Sequence, residues 1–240
     1  MRPCETLIIC ALLPEAKAIA KACGLDMSRN DFRQKLLYTP KITIALVGPR
    51  ASKLPALAGK VSAKRIIVAG LAGALAPSLK VGDVLFQSPK NRIYTSTEIV
   101  ATPAQKAALF IATGCVAVDM ETDIIREYAE RIGVPFTAIR AISDAATDAL
   151  DPQLLNLVDA EGKPRIKEAL VMMFLDPEKI ITLLRLNRAT KLALTNLGAA
   201  IRAWLGGTGM RPKRPAGEPE VKERRILGEE AFVDVDVNTR

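Results

Sequence analysis

Apolar and polar positions along this chain fall into two alternating periods. Thr6 to Leu12 (TLIICAL), Lys41 to Val47 (KITIALV) and Arg65 to Leu71 (RIIVAGL) are short apolar runs bounded by turn residues. So are the VLFQ run from Val84, Cys115 to Val118 (CVAV) and Phe136 to Ile142 (FTAIRAI). Runs of this length and make-up predict buried strands. Helical spacing fills the intervals. One helix starts at Pro14, a favoured first-turn residue, and ends near Cys23 before Gly24. A weak helix is predicted for Leu54 to Val61, with Gly59 inside it, and another from Thr102-Pro103 to Gly114. A fourth is opened by Asp119-Met120-Glu121; its apolar positions Ile124, Ile125, Tyr128 and Ile132 recur at three- and four-residue steps, and Gly133 and Pro135 stop it. Strands alternating with helices predict an α/β fold. The expected architecture is a three-layer sandwich, with a central mostly parallel or mixed sheet and helices on both faces.

Beyond Asp148 the pattern changes. Asp151-Pro152 predicts a short capped helix and Asp159 to Pro164 a polar turn. Arg165 to Leu205 reads as almost entirely helical, broken at Asp176-Pro177. Residues 206–240 carry Gly206-Gly207, three prolines and mixed charge, the composition of a mobile tail. The expected organisation is an α/β domain over 1–162, a helical extension packing on it over 163–205, and a flexible tail over 206–240.

A chain of 240 residues suffices for one such domain with a full core. Its 49% apolar and 25% charged residues are those of a soluble globular protein. No run of 18 uncharged apolar residues exists to form a spanning helix, and Glu5, Pro14 and Glu15 interrupt any signal-peptide pattern at the N-terminus. A cytoplasmic location is expected. Cys4, Cys10, Cys23 and Cys115 form no CxxC pair and suit small buried positions in a reducing compartment. With no histidine in the chain, a zinc site and any Ser-His or Cys-His nucleophile are disfavoured, so acid-base chemistry must rest on carboxylates. The net charge of +8 is uneven: residues 163–205 hold 8 Lys+Arg against 3 Asp+Glu, whereas residues 206–240 hold 7 against 7. The basic residues lack interleaved aromatics and any nucleic-acid module, so no nucleic-acid partner is expected.

Two carboxylates stand where predicted strands run out. Glu121 follows CVAV and Asp144 follows FTAIRAI, and ligands of open α/β sheets collect outside the carboxyl ends of strands. Each also has a plain structural explanation: Glu121 as an acidic helix start, Asp144 as a turn or cap residue.

The segments VDMET and VPFTAIRAISDAA carry a resemblance to the nucleoside phosphorylase and nucleosidase superfamily. Within it, TPAQKAAL followed by VAVDMET, and the helical LDPEKIITLLRLNRATKLAL region, most resemble the hopanoid-associated phosphorylases, also described as adenosylhopane nucleosidases. The resemblance implies the same three-layer fold and cleavage of a purine N-glycosidic bond. It assigns Asp144 to protonation of the purine ring, a task suited to a carboxyl whose pKa is raised in a dry pocket. Glu121 would accept from ribose hydroxyls, with Met120 packing against the sugar. Glu15, in ALLPEA, matches the glutamate that positions the attacking water, or else is an ordinary helix-start acid. Ala69 to Leu75 matches a pocket-lining loop, with Ala72 and Gly73 in contact with substrate through backbone groups.

Some features depart from the family pattern. Leu13 and Pro14 replace acids, and SPKNRIYTSTEIV at 88–100 stands where relatives carry further strand and helix that wall the pocket. No cofactor or metal is implied; inorganic phosphate is the alternative to water as co-substrate, and Gly48-Pro49-Arg50 reads as a turn or an anion contact. The leading expectation is release of adenine from adenosylhopane in hopanoid biosynthesis, with peripheral membrane contact through the C-terminal helices. The alternatives are a nucleosidase for a soluble methylthioadenosine or S-adenosylhomocysteine type of substrate, and a non-catalytic nucleoside-binding relative. A second copy of the chain is the remaining candidate partner.

Overall fold

A computed structural model of the chain describes residues 1–26, 36–57, 59–150, 178–207 and 226–227. The strands are β1 (Arg2–Cys10), β2 (Leu36–Leu37), β3 (Ile42–Leu46), β4 (Val61–Ala74), β5 (Val84–Phe86), β6 (Ile93–Thr95), β7 (Ala117–Asp119), β8 (Phe136–Asp144) and β9 (Ile226–Leu227). The helices are α1 (Leu13–Ala22), α2 (Leu54–Leu57), α3 (Pro103–Thr113), α4 (Thr122–Arg131) and α5 (Glu178–Gly207). The described strands form one mixed sheet in the order β2-β3-β1-β4-β8-β5-β9, with β7 paired to the end of β4 and β6 to β7. At its centre β3, β1, β4 and β8 run parallel, whereas β5 and β7 run antiparallel to β8 and β4.

The side-chain period of two sends alternate residues of each strand to opposite layers. Leu7, Ile9, Val68 and Ile142 pack on one face with Leu54 of α2 and Ile125 and Ala129 of α4. Ile8, Cys10, Ile67 and Ile139 pack on the other with Ile19 of α1 and Leu197 and Ile201 of α5. This is the expected central mixed sheet covered by helices on both faces.

Several boundaries differ from the sequence expectation, each for a physical reason. The weak helix shrinks to α2, because Val61 pairs with Arg2 and starts β4. Ala72 and Gly73, expected in a loop, lie within β4, where β7 and β8 supply partners on both sides. The 88–100 segment contributes β6, which extends the sheet beside β7. In α4 the buried residues are Thr122, Ile125 and Ala129, while Ile124 and Ile132 are exposed. That helix therefore presents a narrower stripe than its isoleucines suggest. Within the expected tail, Ile226–Leu227 pair with β5; the rest of it lies outside the described residues, as do the predicted helix at Asp151-Pro152, the turn at 159–164 and the break at Asp176-Pro177.

The second half of α5 packs on α1 and the sheet, burying Ala193, Leu197, Ala200, Ile201 and Leu205. Its Asn196 side chain donates to the Gly82 carbonyl at 2.7 Å. Gly82 has φ +91° and passes close under Leu192. The preceding turns of α5 carry exposed Leu184 and Leu192. Among the described residues no helix is long and apolar enough to cross a membrane.

Candidate active site

Among the described residues, the carboxyl ends of β1, β4, β7 and β8 gather the buried charges. Glu15, Asp119, Glu121, Arg140, Lys106 and Asp144 are all buried; Arg140 pairs with Asp119 and Glu121, and Lys106 with Asp144. A shallow cleft lined by Met1, Arg2, Leu36, Gly59 and Lys60 lies at the opposite end, where β1 and β4 begin. None of those five residues is a carboxylate.

Glu15 is placed by the turn from β1 into α1. It occupies the third helical position, and its Oε2 accepts from the N–H groups of Ala11 (3.1 Å) and Leu12 (2.9 Å). This is one arm of a capping box, closing donors the helix cannot use. The other oxygen, Oε1, accepts from Leu71 N–H of β4 at 2.9 Å. Burial pushes the Glu15 carboxyl up to about 7, against the pull of Arg140 and of the Leu12 and Leu71 N–H groups, with Glu121 adding to the rise. Such a group changes protonation near neutral pH, as a general base must.

Arg140 is the hub of this half. It projects from β8 with no exposed surface; its Nη2 lies 2.5 Å from Asp119 Oδ2 and 3.6 Å from Glu121 Oε2. Its Nε and Nη2 also point to Thr122 Oγ1 at 3.3 and 3.1 Å. Asp119 is held from three further sides. Thr122 Oγ1 donates to its Oδ2, Thr95 Oγ1 of β6 donates to its Oδ1 at 3.0 Å, and the N–H groups opening α4 approach Oδ1. Glu121 Oε1 accepts from Arg50 N–H at 3.0 Å. Arg50 and Ala51 both adopt left-handed φ, 54° and 51°, a conformation that costs non-glycine residues and tends to persist at functional sites. Burial raises the Glu121 pKa, Arg140 lowers it and Asp119 raises it, for a net rise. Burial alone would lower the Arg140 pKa, but Asp119, Glu121 and Glu15 raise it. Three carboxylates around one guanidinium leave this half of the site net negative when all are ionised.

Gly70 makes the cluster possible. A methyl at its Cα would stand 2.5 Å from Arg140 Nη1 and 2.6 Å from Glu15 Oε1. Further along β4 the same device recurs: a methyl on Gly73 would stand 3.0 Å from Asp144 Oδ2. Three residues along a strand span about 10 Å, so Asp144 meets β4 farther toward its carboxyl end than the Glu15–Arg140 group does. A register shift between Ala72 and Gly73 brings Asp144 opposite Gly73.

Asp144 is not an isolated carboxyl. Lys106 Nζ lies 2.6 Å from its Oδ2, and the lysine is 0% exposed. The Ser143 hydroxyl is 2.6 Å from Oδ1 and 3.3 Å from the Ala72 carbonyl. Asp144 is buried, and a buried cation shares its surroundings.

Of the residues anticipated from sequence, Glu15 and Glu121 meet around Arg140, and Asp144 lies farther along β4. Met120 is half-buried beside Glu121, and Ala72 and Gly73 line the strand between the two groups. Gly48-Pro49-Arg50 meets Glu121 through a backbone N–H. Lys106, Asp119 and Arg140 were not anticipated. Lys106 did leave a signal, because it shares a helical stripe with Leu109, Phe110 and Thr113 and so interrupts an apolar face with a charge. Arg140 likewise stands alone in the middle of an apolar strand.

Residues 91–170, a third of the chain, match the Phosphorylase superfamily family model. Comparison with curated proteins gives no match. Among solved structures, the fold is similar to the Helicobacter pylori 5'-methylthioadenosine/S-adenosyl homocysteine nucleosidase, at 15% identity and TM-score 0.58, covering 86% of this chain and 100% of that one. Futalosine hydrolase of the same organism superposes with TM-score 0.57 at 14% identity, covering 85% and 98%. A Neisseria meningitidis 5'-methylthioadenosine/S-adenosylhomocysteine nucleosidase gives 0.52 at 17%, covering 84% and 97%. At these identities the likeness is one of fold.

Proposed function

We propose that this protein cleaves the N-glycosidic bond of a purine nucleoside. The observation that carries the proposal is the polarity of the buried site. Carboxylates in excess of cations gather by Gly70 of β4, and a balanced Lys106–Asp144 pair lies by Gly73, farther along the same strand. Breaking a nucleoside builds positive charge on the ribose and negative charge on the base. A negative, water-poor cradle favours the cationic sugar in the transition state more than in the ground state. In this assignment Glu15 takes a proton from the attacking water, and Glu121, with lone pairs left over from Arg50 and Arg140, accepts from ribose hydroxyls. Asp144 meets the leaving base. Inorganic phosphate is the alternative attacking group.

The substrate proposed is adenosylhopane, on the strength of the TPAQKAAL, VDMET and α5 segments together with the exposed basic residues Arg185, Arg188 and Lys191 of α5. A second assignment, a soluble methylthioadenosine or S-adenosylhomocysteine type of nucleoside, is favoured by the likeness of the fold to nucleosidases acting on those compounds. Purified protein incubated with each substrate, with and without phosphate, and assayed for free adenine separates them. Adenine from adenosylhopane supports the first assignment, and release from the soluble nucleosides alone supports the second. No release from any of them would mark a non-catalytic relative and overturn the proposal.

A further inference from the structure

Among the described residues Lys106 is the most deeply buried cation outside the ribose half, and the roles assigned above leave it without a task. Its position is built, not incidental. Thr102 and Gln105 form a reciprocal capping box at the start of α3: Gln105 N–H donates to Thr102 Oγ1 at 3.2 Å, and Thr102 N–H donates to Gln105 Oε1 at 3.0 Å. The next residue is Lys106, the only fully buried side chain of that helix. Its three N–H bonds have three acceptors: Asp144 Oδ2 at 2.6 Å, the Ala145 carbonyl at 2.7 Å and the Asp148 carbonyl at 2.9 Å. The two carbonyls belong to a turn that Asp148 closes by accepting from Ala145 N–H at 2.9 Å. A helix cap on one side and a capped turn on the other thus hold one ammonium against one carboxylate.

We infer that Lys106 is a positioning residue that supplies, through Asp144, the proton received by the departing base; this rests on the nucleosidase assignment above. At rest the proton sits on Nζ. It passes to Asp144 Oδ2, giving a neutral amine and a neutral carboxyl. As the bond between ribose and base breaks, its electron pair goes to the base, and the carboxyl proton goes to a ring nitrogen of that base. Asp144 ends as a carboxylate. The Lys106 amine keeps two N–H bonds, and two acceptors remain for them, the carbonyls of Ala145 and Asp148. After the base leaves, solvent returns the third proton to Lys106 while Glu15 releases to solvent the one it took from the attacking water, so no net charge is left behind. A bare carboxylate facing a base that is gaining negative charge would repel it; the paired lysine removes that repulsion as well as holding the proton.

The test compares two leaving groups. A purine ribonucleoside needs its base protonated, whereas 4-nitrophenyl β-D-ribofuranoside releases a stable anion without a proton. Turnover of both is measured for the full chain and for Lys106→Met, Lys106→Arg, Asp144→Asn and the Lys106→Met/Asp144→Asn double variant. Proton delivery by a positioned side chain contributes about 10²–10⁴-fold, so the purine-to-nitrophenyl ratio of kcat is expected to fall by about 100-fold or more in Lys106→Met. The double variant should show no further fall than Asp144→Asn. Arginine keeps its proton at all working pH, so Lys106→Arg is expected to retain the ion pair and still lose the ratio. An unchanged ratio in Lys106→Met, with both substrates slowed together, would reduce Lys106 to packing and overturn the inference. Recovery of the ratio in Lys106→Arg would overturn it too, by showing that charge alone is needed. If the unaltered protein turned over neither substrate, the nucleosidase assignment itself would fall.

Discussion

Glu15 has three backbone N–H donors around it, an arrangement that by itself would hold a carboxylate ionised. Burial and the neighbouring Glu121 outweigh them, and the group titrates at about 7 instead of 4.5. Two consequences follow from that one shift. The first concerns stability. A carboxyl harder to ionise in the fold than in the unfolded chain contributes stability that is complete below pH 4.5 and is lost as the pH rises to about 7. The loss is on the order of 3 kcal/mol. Denaturant midpoints of Glu15→Gln are therefore expected to lack that decline, gaining on the unaltered protein between these limits. The second concerns turnover, which needs the ionised form if Glu15 is the base. The rate is expected to climb with pH through about 7, and Glu15→Gln to lower kcat by about 10²–10⁴-fold. A pH–rate profile flat from 5 to 8 would remove Glu15 from the chemistry. At this scale Glu15, Glu121 and Asp144 were readable as candidates because they stand at predicted strand ends, where ligands of α/β sheets collect, although each position also suits a helix start or a turn. Lys106 and Arg140 were hidden because long basic side chains are ordinarily solvated. Their burial is decided by Asp144 and Asp119, which lie far away in sequence.

Elements follow the same division between local and distant causes. β1, β4 and β8 are apolar on both faces and could be read directly, as helix-covered central strands are. β6 could not: Ile93–Thr95 is three residues long, and its partner β7 lies beyond α3 in the chain. It matters nonetheless, since Thr95 holds Asp119 and receives Asp123 N–H at 2.9 Å, fixing the entry to α4. The contact of α5 with α1 has a sharper requirement. Gly198 lies so close to α1 that an added methyl would stand 2.9 Å from Ala22 Cβ and 3.0 Å from the Ala18 carbonyl. Neither neighbour has a flexible end to move aside, so the helices must separate. Gly198→Val is expected to cost about 1–3 kcal/mol, lowering the melting temperature by several degrees for a domain of this size. Nitrophenyl riboside turnover at low temperature should persist, because α1 enters the site through its other end at Glu15. A melting temperature equal to that of the unaltered protein would mean that α5 is not packed as described.

At the scale of the whole molecule, charge and shape divide α5 in two. Its second half is core, and that much of the segment expected to meet a membrane is packing for the sheet. The turns before it differ: among side chains 184–192, Arg185, Arg188 and Lys191 are exposed together with Leu184 and Leu192, and no acid lies between them. Arg185 reaches Asp148 Oδ1 at 3.3 Å. Asp148 closes the turn that holds Lys106, so this basic, partly apolar surface borders the Lys106–Asp144 end of the candidate site. A hopane-linked nucleoside stays anchored in its bilayer, and a chain that cleaves it must bring its site to the headgroups. Basic residues near an anionic surface contribute about 1 kcal/mol each, and Debye screening weakens them as salt is added. The protein is accordingly predicted to sediment with vesicles containing anionic lipid at low salt and to be released at high salt. Changing Lys179, Arg185, Arg188 and Lys191 to glutamine should weaken that binding at least tenfold; the side chain of Lys179 lies outside those described. Arg188→Gln/Lys191→Gln, which spares Arg185 and its contact with Asp148, should weaken binding while leaving hydrolysis of a soluble riboside at its original rate. Equal sedimentation of the original and altered proteins, or none for either, would leave these turns of α5 as a solvated surface and return the substrate to the soluble class.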